Sequence, residues 1–491
     1  MKLQERSLWT KESVSIATEG HIVSDTMSND WVAKGVSIDS RTCLPGDIFI
    51  ALSGTNFDGH NYVSHALDCG AVAAVVSHIP EGLENLPALI VVEDSNQALI
   101  DMARYARASS NAKIIGVTGS VGKTTTKDGL TAALSVCGDT HSTLGNLNNH
   151  LGTPLTLSRL PNDALYSVIE LGMNHSGELG EIAKLSQPDV AVITNIEAVH
   201  LENFDSVFGI ADAKSEIFAG LGSAGTAVLN RDNIYFAYLS SIAEEYGIDR
   251  ILSFGADPDS DSRLISMKSS DGGSDVIAEI NGQTISYRLN TPGRHQVSNS
   301  LAILAVVDCL EADVVSASAA LANLSAPLRR GRHYKVTTSK GEFIVIDDSY
   351  NASPASMRAS FEVLASASTN DSNGRKLAVL SDMLELGPDS RKMHAGLAQY
   401  LTTNKIDQVF TAGTLMSELD KALPKYMRGG HRNTPEELLP IVKQSIRDGD
   451  VILVKGSLGS RAGPIADALI NTYEDESSSF HILDGDTHNV V

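Results

Sequence analysis

The sequence predicts an α/β protein of three units, and three observations carry that prediction. Short apolar runs of buried-strand length recur along the chain with helical patterns between them. Small or polar breaks near Ala108–Ala112 and Ser325–Pro327 divide those runs into three groups. At 491 residues the chain has room for about three domains of ~100–200 residues.

Composition narrows the classes. Hydrophobic residues make up 42% and charged residues 20%, which is ordinary for a soluble globular protein and leaves material for several buried cores. The formal net charge of −22 argues against a nucleic-acid partner, because a phosphate backbone needs a basic footprint. Cys43, Cys69, Cys137 and Cys309 form no Cys-x-x-Cys pair, which argues against a zinc site or disulfide scaffold. Met1–Thr10 has no apolar signal region, and no run reaches the ~18–20 apolar residues of a membrane helix. The expectation is a cytoplasmic protein without membrane insertion; a monomer is compatible with the sequence, which does not set the oligomeric state.

The first unit, residues 1–110, carries strand signals at 46–52, 71–76 and 89–92 and a helical pattern over 62–68. The central unit, 111–326, opens with the apolar strand 113–118, a glycine turn and a helix over 124–137. Strands follow at 166–170, 190–194 and 226–230, as in a doubly wound, mostly parallel sheet. Val276–Ile280 and Gln283–Tyr287 flank Asn281-Gly282, a hairpin signature, and a helix is expected over 296–309. The third unit, 327–491, has strands at 343–347, 377–380, 408–411 and 451–454 with helices between them, a Rossmann-like α/β pattern. Its acidic, serine-rich tail is expected to fray from about residue 474.

The strand–turn–helix at Val117-Thr118-Gly119-Ser120-Val121-Gly122-Lys123-Thr124-Thr125 has the parts of a phosphate-binding loop. Backbone N–H groups from Gly119 to Thr124 can converge on phosphate oxygens, and the following helix adds its dipole. Lys123 is a mobile point charge for the β and γ oxygens, and the Thr124 hydroxyl is placed for Mg²⁺. The common pattern has glycine at residue 117, where this chain has valine. The bland alternative is an ordinary strand-to-helix turn, but strand, loop and helix stand in the right order for ATP. Glu170 ends a strand at the sheet edge where open α/β folds bind ligands; a surface acid explains it equally well from the residues alone. Two adjacent acids, Asp347 and Asp348, end another apolar strand at a domain mouth, which favours a site over simple solvation.

The variant loop resembles that of the Mur ligases, the ATP-dependent amide ligases that build the peptide stem of peptidoglycan. The likeness runs in order along nearly the whole chain. The first unit has Asp39-Ser40-Arg41-Thr42, Gly46-Asp47-Ile48-Phe49 and Asp58-Gly59-His60. The central unit has Gly145-Asn146-Leu147-Asn148-Asn149, Glu170-Leu171-Gly172-Met173-Asn174-His175, Thr194-Asn195-Ile196 through His200, and Ala213-Lys214-Ser215. The third has Asp347-Asp348-Ser349-Tyr350-Asn351-Ala352-Ser353-Pro354 and Asp382-Met383-Leu384-Glu385-Leu386-Gly387. The set is most similar to the family member that adds a terminal dipeptide. No Asp-Asn-Pro-Arg segment, the mark of the member that adds diaminopimelate, is present. Three departures are visible: Ser353 stands where the family has asparagine, Gln296 likewise, and Leu458-Gly459-Ser460-Arg461 follows Lys455-Gly456-Ser457 in a variant form.

The resemblance implies an acyl-phosphate route, with ATP and Mg²⁺ as cofactors and UDP-N-acetylmuramoyl-tripeptide and D-alanyl-D-alanine as substrates. It implies that Thr124, Glu170, His200 and a carbamylated Lys214 hold metal, with Lys123 on the phosphates. It assigns Gln296, Asn299, Arg332, Asp348, Tyr350 and Asn351, with Gly119–Thr125, to the nucleotide, and Ser40, Arg41, Asp58, Asn148 and Asn149 to the sugar-peptide substrate. Alone, Lys214 would read as a solvated helix lysine, His200 as a structural histidine and Arg332 as part of a basic linker. Other superfamily ligases, of folylpolyglutamate or cyanophycin type, fit the first unit poorly. A non-catalytic nucleotide switch has no need of a second metal site.

Overall fold

The computed structural model describes residues 7–23, 30–84, 86, 88–199, 201–270, 272–338, 341–369, 374–471 and 479–482. Three main sheets, each flanked by helices, follow one another along the chain, with a small two-stranded sheet in the first unit. In the first main sheet the strands Leu89–Val91, Ala73–Val76, Asp47–Ile50 and Gly35–Ser37 run parallel, with His21–Ile22 antiparallel at one edge. Buried aliphatic side chains cover both faces of the sheet's central strands, which is why those segments read as continuous apolar runs.

The segment Ala108–Ala112, expected to join the first two units, is partly packed. The helix Ser95–Ser109 runs into it, and Ser110 and Ala112 are buried. Arg107 fastens that helix to the central unit by donating to the carbonyls of Ser186 (3.0 Å) and Gln187 (3.0 Å).

The central sheet has nine strands. Lys113–Thr118 lies inside it, between Val190–Ile193 and Tyr166–Glu170, and all three run parallel. Thr226–Asn230 and Arg250–Gly255 extend the parallel run, and Ser262–Ser270, Gly273–Ile280 and Gln283–Leu289 close it as an antiparallel meander. The expected hairpin is there: Asn281 and Gly282 take φ of 47° and 80°, the double left-handed step that matches strand twist. The helices Lys123–Ser135 and Arg294–Cys309 pack together on one face.

In the third sheet, Arg428–Arg432, Gln408–Ala412, Lys376–Ser381, Val451–Lys455 and Gly341–Asp348 lie parallel in that order, and Arg332–Thr338 is antiparallel beyond them. Of the tail expected to fray, only Ser479–Ile482 lies within the described residues, and it is paired. Ser479–Ile482 pairs antiparallel with Arg332–Thr338, using the hydrogen-bonding groups that an edge strand leaves open.

Candidate active site

The phosphate loop is shaped by what surrounds it. Val117 is fully buried within its strand, so a side chain serves there better than a glycine. Gly119 takes a φ of 144°, and a Cβ on it would lie 2.0 Å from Thr194 Oγ1. Gly122 (φ 87°) begins the helix, and a Cβ there would press on the Asn299 amide at 2.8 Å. Thr194 Oγ1 donates to Val121 O at 2.6 Å, and Ser120 Oγ donates to Glu197 O at 3.0 Å while accepting from Glu197 N at 2.9 Å. Ser120 also donates its backbone N–H to Asn195 O at 2.8 Å. That N–H is therefore withdrawn from the expected cradle, which falls to the groups at the helix start.

Lys123 Nζ reaches back to Gly119 O at 2.7 Å, across the mouth of the loop. Burial pulls its ammonium below the ordinary lysine value; Glu170 opposes that shift and Arg330 adds to it. Thr124 is buried at the first turn of the helix.

Glu170 is 1% exposed at the end of its strand. Its Oε1 accepts from Asn148 Nδ2 at 2.8 Å, while Oε2 is buried without a hydrogen-bond partner. A buried carboxylate oxygen facing no donor is a costly arrangement unless a cation completes it. With the Thr124 hydroxyl on the same cavity, the donors are oxygens, as Mg²⁺ requires.

Lys214 lies at the end of the helix Val207–Ser215 and is only 2% exposed, which excludes the solvated-lysine alternative. Burial, and next the charge of Lys123, hold it well below the usual lysine range, so the amine is driven toward its neutral form. His200 lies outside the described residues.

The third unit supplies the other wall. Lys455 Nζ donates to Asp348 Oδ2 at 2.6 Å and to Asn351 O at 3.0 Å, and Ser360 Oγ also donates to Asp348 Oδ2, at 2.6 Å. Arg330 stacks 4.1 Å over the Tyr350 ring, whose hydroxyl accepts from Asn146 Nδ2 at 3.0 Å across the two units. Together these residues line a cavity of about 850 Å³ between the central and third units.

The cavity brings together Ser120–Thr125, Asn148, Glu170, Gln296, Asn299, Asp348, Tyr350 and Asn351. It does not bring in Arg332, which starts an antiparallel strand beyond the turn at Gly331; Arg330 occupies the wall instead. Asn149 does not line the cavity; exposed, its side chain accepts from Gly152 N at 2.9 Å at the start of the following helix. Ser40, Arg41 and Asp58 stay in the first unit, away from this cavity. There Arg41 pairs with Asp39 at 2.7 Å, and Asp58 accepts from His60 N at 3.0 Å.

Two sequence departures have local explanations. Ser353 caps the helix Pro354–Ser366, accepting from Ser356 N at 3.3 Å, and serine caps helices as well as asparagine does. In the 457–461 variant, Ser457 Oγ accepts from Leu384 N at 3.0 Å, and Ser460 Oγ meets Ser381 Oγ at 2.7 Å. Sequence reasoning missed Lys455, Arg330 and Arg358. The signal for Lys455 was available: like Glu170, it is an ionisable residue ending an apolar parallel strand.

Known proteins give the same picture. Family models match in order: the Mur ligase family catalytic domain over residues 32–107, the Mur ligase middle domain over 117–307, and the Mur ligase glutamate ligase domain over 331–458. The UDP-N-acetylmuramoyl-tripeptide–D-alanyl-D-alanine ligase of Rickettsia prowazekii is 33% identical over 460 residues, covering 94% of this chain and 99% of its own. The solved UDP-N-acetylmuramoylalanyl-D-glutamyl-2,6-diaminopimelate–D-alanyl-D-alanyl ligase of Acinetobacter baumannii is 30% identical with a TM-score of 0.80, over 96% of this chain and 99% of its own. A MurF ligase from Thermotoga maritima in complex with ADP is 28% identical with a TM-score of 0.73, over 88% of this chain and 96% of its own. With full-length relatives at this identity and family domains in this order, the chain belongs to the Mur ligase family.

Proposed function

We propose that this protein is the ATP-dependent ligase that joins D-alanyl-D-alanine to UDP-N-acetylmuramoyl-tripeptide, in the cytoplasmic synthesis of peptidoglycan precursor. One observation carries the reading. A single cavity joins the phosphate loop, the orphaned Glu170 carboxylate oxygen and the Asp348–Asn351 segment of the third unit. Full-length relatives bearing that activity in their names support the choice of substrates.

The chemistry has two steps. A tripeptide carboxylate oxygen attacks the γ-phosphorus of ATP, and the bond to ADP breaks, leaving an acyl phosphate. The dipeptide amine then attacks the acyl carbon, losing a proton, and phosphate departs. Like charges must meet in the first step. Lys123 offsets them on the loop side, and the helix start supplies N–H donors. Thr124 and Glu170 would hold Mg²⁺, which supplies charge neutralisation between carboxylate and triphosphate when bound. Asp348, held by Lys455 and Ser360, would take the nucleotide's hydroxyls, with Gln296, Asn299, Tyr350 and Asn351 on the same cavity. Ser40, Arg41, Asp58, Asn148 and Asn149 are assigned to the sugar-peptide.

Lys214 suits carbamylation because its amine is driven toward neutrality. Its nitrogen would add to the carbon of CO₂ with loss of one proton, and the resulting anion, with His200, would hold a second metal. The test is phosphate release from ATP and Mg²⁺ with each substrate alone and with both. The reading requires release to depend on both.

A further inference from the structure

The cavity must receive a second substrate that arrives with a free carboxylate at the end opposite its amine. This argument rests on the ligase reading above. Five lysines and arginines line the cavity: Lys123, Arg294, Arg330, Arg358 and Lys455. Three have work in hand. Lys123 spans the phosphate loop, Lys455 is bonded to Asp348 and Asn351 O, and Arg330 lies on Tyr350. Arg294 opens the helix that carries Gln296 and Asn299, on the nucleotide side.

Arg358 differs from all four. It sits on the helix Pro354–Ser366, its guanidinium 5.4 Å over the Tyr400 ring and its Nη2 3.8 Å from Glu197 Oε2. The ring and the facing charge hold the group in place, yet 3.8 Å is too long for a hydrogen bond. Among the described residues no acceptor takes its N–H donors. A planar fork of free donors, fixed at a cavity wall, matches a carboxylate in bidentate fashion. The location fits as well. Glu197 is bonded through its backbone to Ser120 of the phosphate loop, so Arg358 faces the end where the acyl phosphate forms. An extended dipeptide spans about 7 Å, at roughly 3.3–3.6 Å per residue, so a carboxylate held at Arg358 leaves its amine free to point toward that end.

We infer that Arg358 is the binding residue for the C-terminal carboxylate of the incoming dipeptide, and so selects a free acid over a capped one. The test compares D-alanyl-D-alanine with its C-terminal amide in phosphate release, using full-length wild type, R358Q, R358K and R294Q. Charge-assisted hydrogen bonds of this kind are worth roughly 10- to 100-fold in kcat/KM. Wild type should favour the acid by about that factor. R358Q should bring the acid-to-amide ratio near one and leave KM for ATP within about twofold, and R358K should fall between. Unchanged preference for the acid in R358Q overturns the inference, as does loss of that preference in R294Q instead, or a change confined to KM for ATP. A wild type that ignores the dipeptide overturns the ligase reading and this inference together; a working wild type with an unaltered R358Q overturns this inference alone.

Discussion

Charge handling in this protein rests on a few buried ionisable side chains. Lys123 spans the loop that would hold the triphosphate, so K123A should lower turnover by at least ~10²-fold, the cost of losing one donor aimed at developing charge. Steady-state phosphate release measures it, and near-normal turnover would remove Lys123 from that role. Glu170 keeps one oxygen without a partner, so E170Q should raise the Mg²⁺ concentration needed for half-maximal rate. A metal titration reads that shift directly. Lys214 gives a pH prediction with a definite sign. Its folded-state value is depressed, so between that value and the ordinary ~10.4 the unfolded chain binds more protons. Its contribution to stability therefore improves as pH rises through that window and worsens as acid charges the buried amine. Acid should also discharge the carbamate. With ¹³C-labelled bicarbonate, a carbamate resonance should be present at alkaline pH, fade on acidification and be absent from K214R.

Elements matter here chiefly through how they begin and end. The helix Pro354–Ser366 carries Arg358 and Ser360 into the cavity, and its start depends on the Ser353 cap. S353A should cost about 1 kcal/mol in a denaturant melt, whereas S353N should be near neutral, because both side chains accept from the same helix N–H. A large loss in S353N would mean that the asparagine found elsewhere in the family does something other than capping. The phosphate loop is a tighter case. G119A would drive a methyl group into Thr194 Oγ1, so ATP binding should be lost while the fold persists. Retained nucleotide affinity by calorimetry would contradict that. Ionisable groups of the cavity recur where strands stop: Glu170, Asp348 and Lys455 each end a strand of a mostly parallel sheet. There the alternation of the sheet gives way to the crevice in which such folds hold ligands.

On the scale of the whole molecule, the site exists only between units. Asn146 donates to Tyr350 at 3.0 Å, Glu202 N donates to Glu385 O at 3.4 Å, and Arg358 faces Glu197 at 3.8 Å. These contacts are polar and partly exposed, and each is weak enough to give way. ATP with the sugar-peptide should therefore tighten the arrangement, shielding the acyl phosphate from water. Small-angle scattering should record a smaller radius of gyration with both ligands than with neither, and an unchanged profile would argue against closure. Among the described residues no helix is long and apolar enough to cross a membrane.

The phosphate loop, the α/β class, the Asn281-Gly282 hairpin and the strand-end acids Glu170 and Asp348 were legible in the sequence by itself. Each depends on neighbours a few residues away: glycine where φ is positive, apolar runs where a strand is buried, an acid where the run stops. Only the tertiary structure decided that Ser120 spends its N–H on Asn195, that Arg330 lines the cavity in place of Arg332, and that Arg358 stands there with free donors. It also decided that Lys214 is buried, which no local pattern around that residue showed. Those outcomes depend on partners dozens to hundreds of residues away, and on how separately folded sheets meet. Spacing along the chain does not record either.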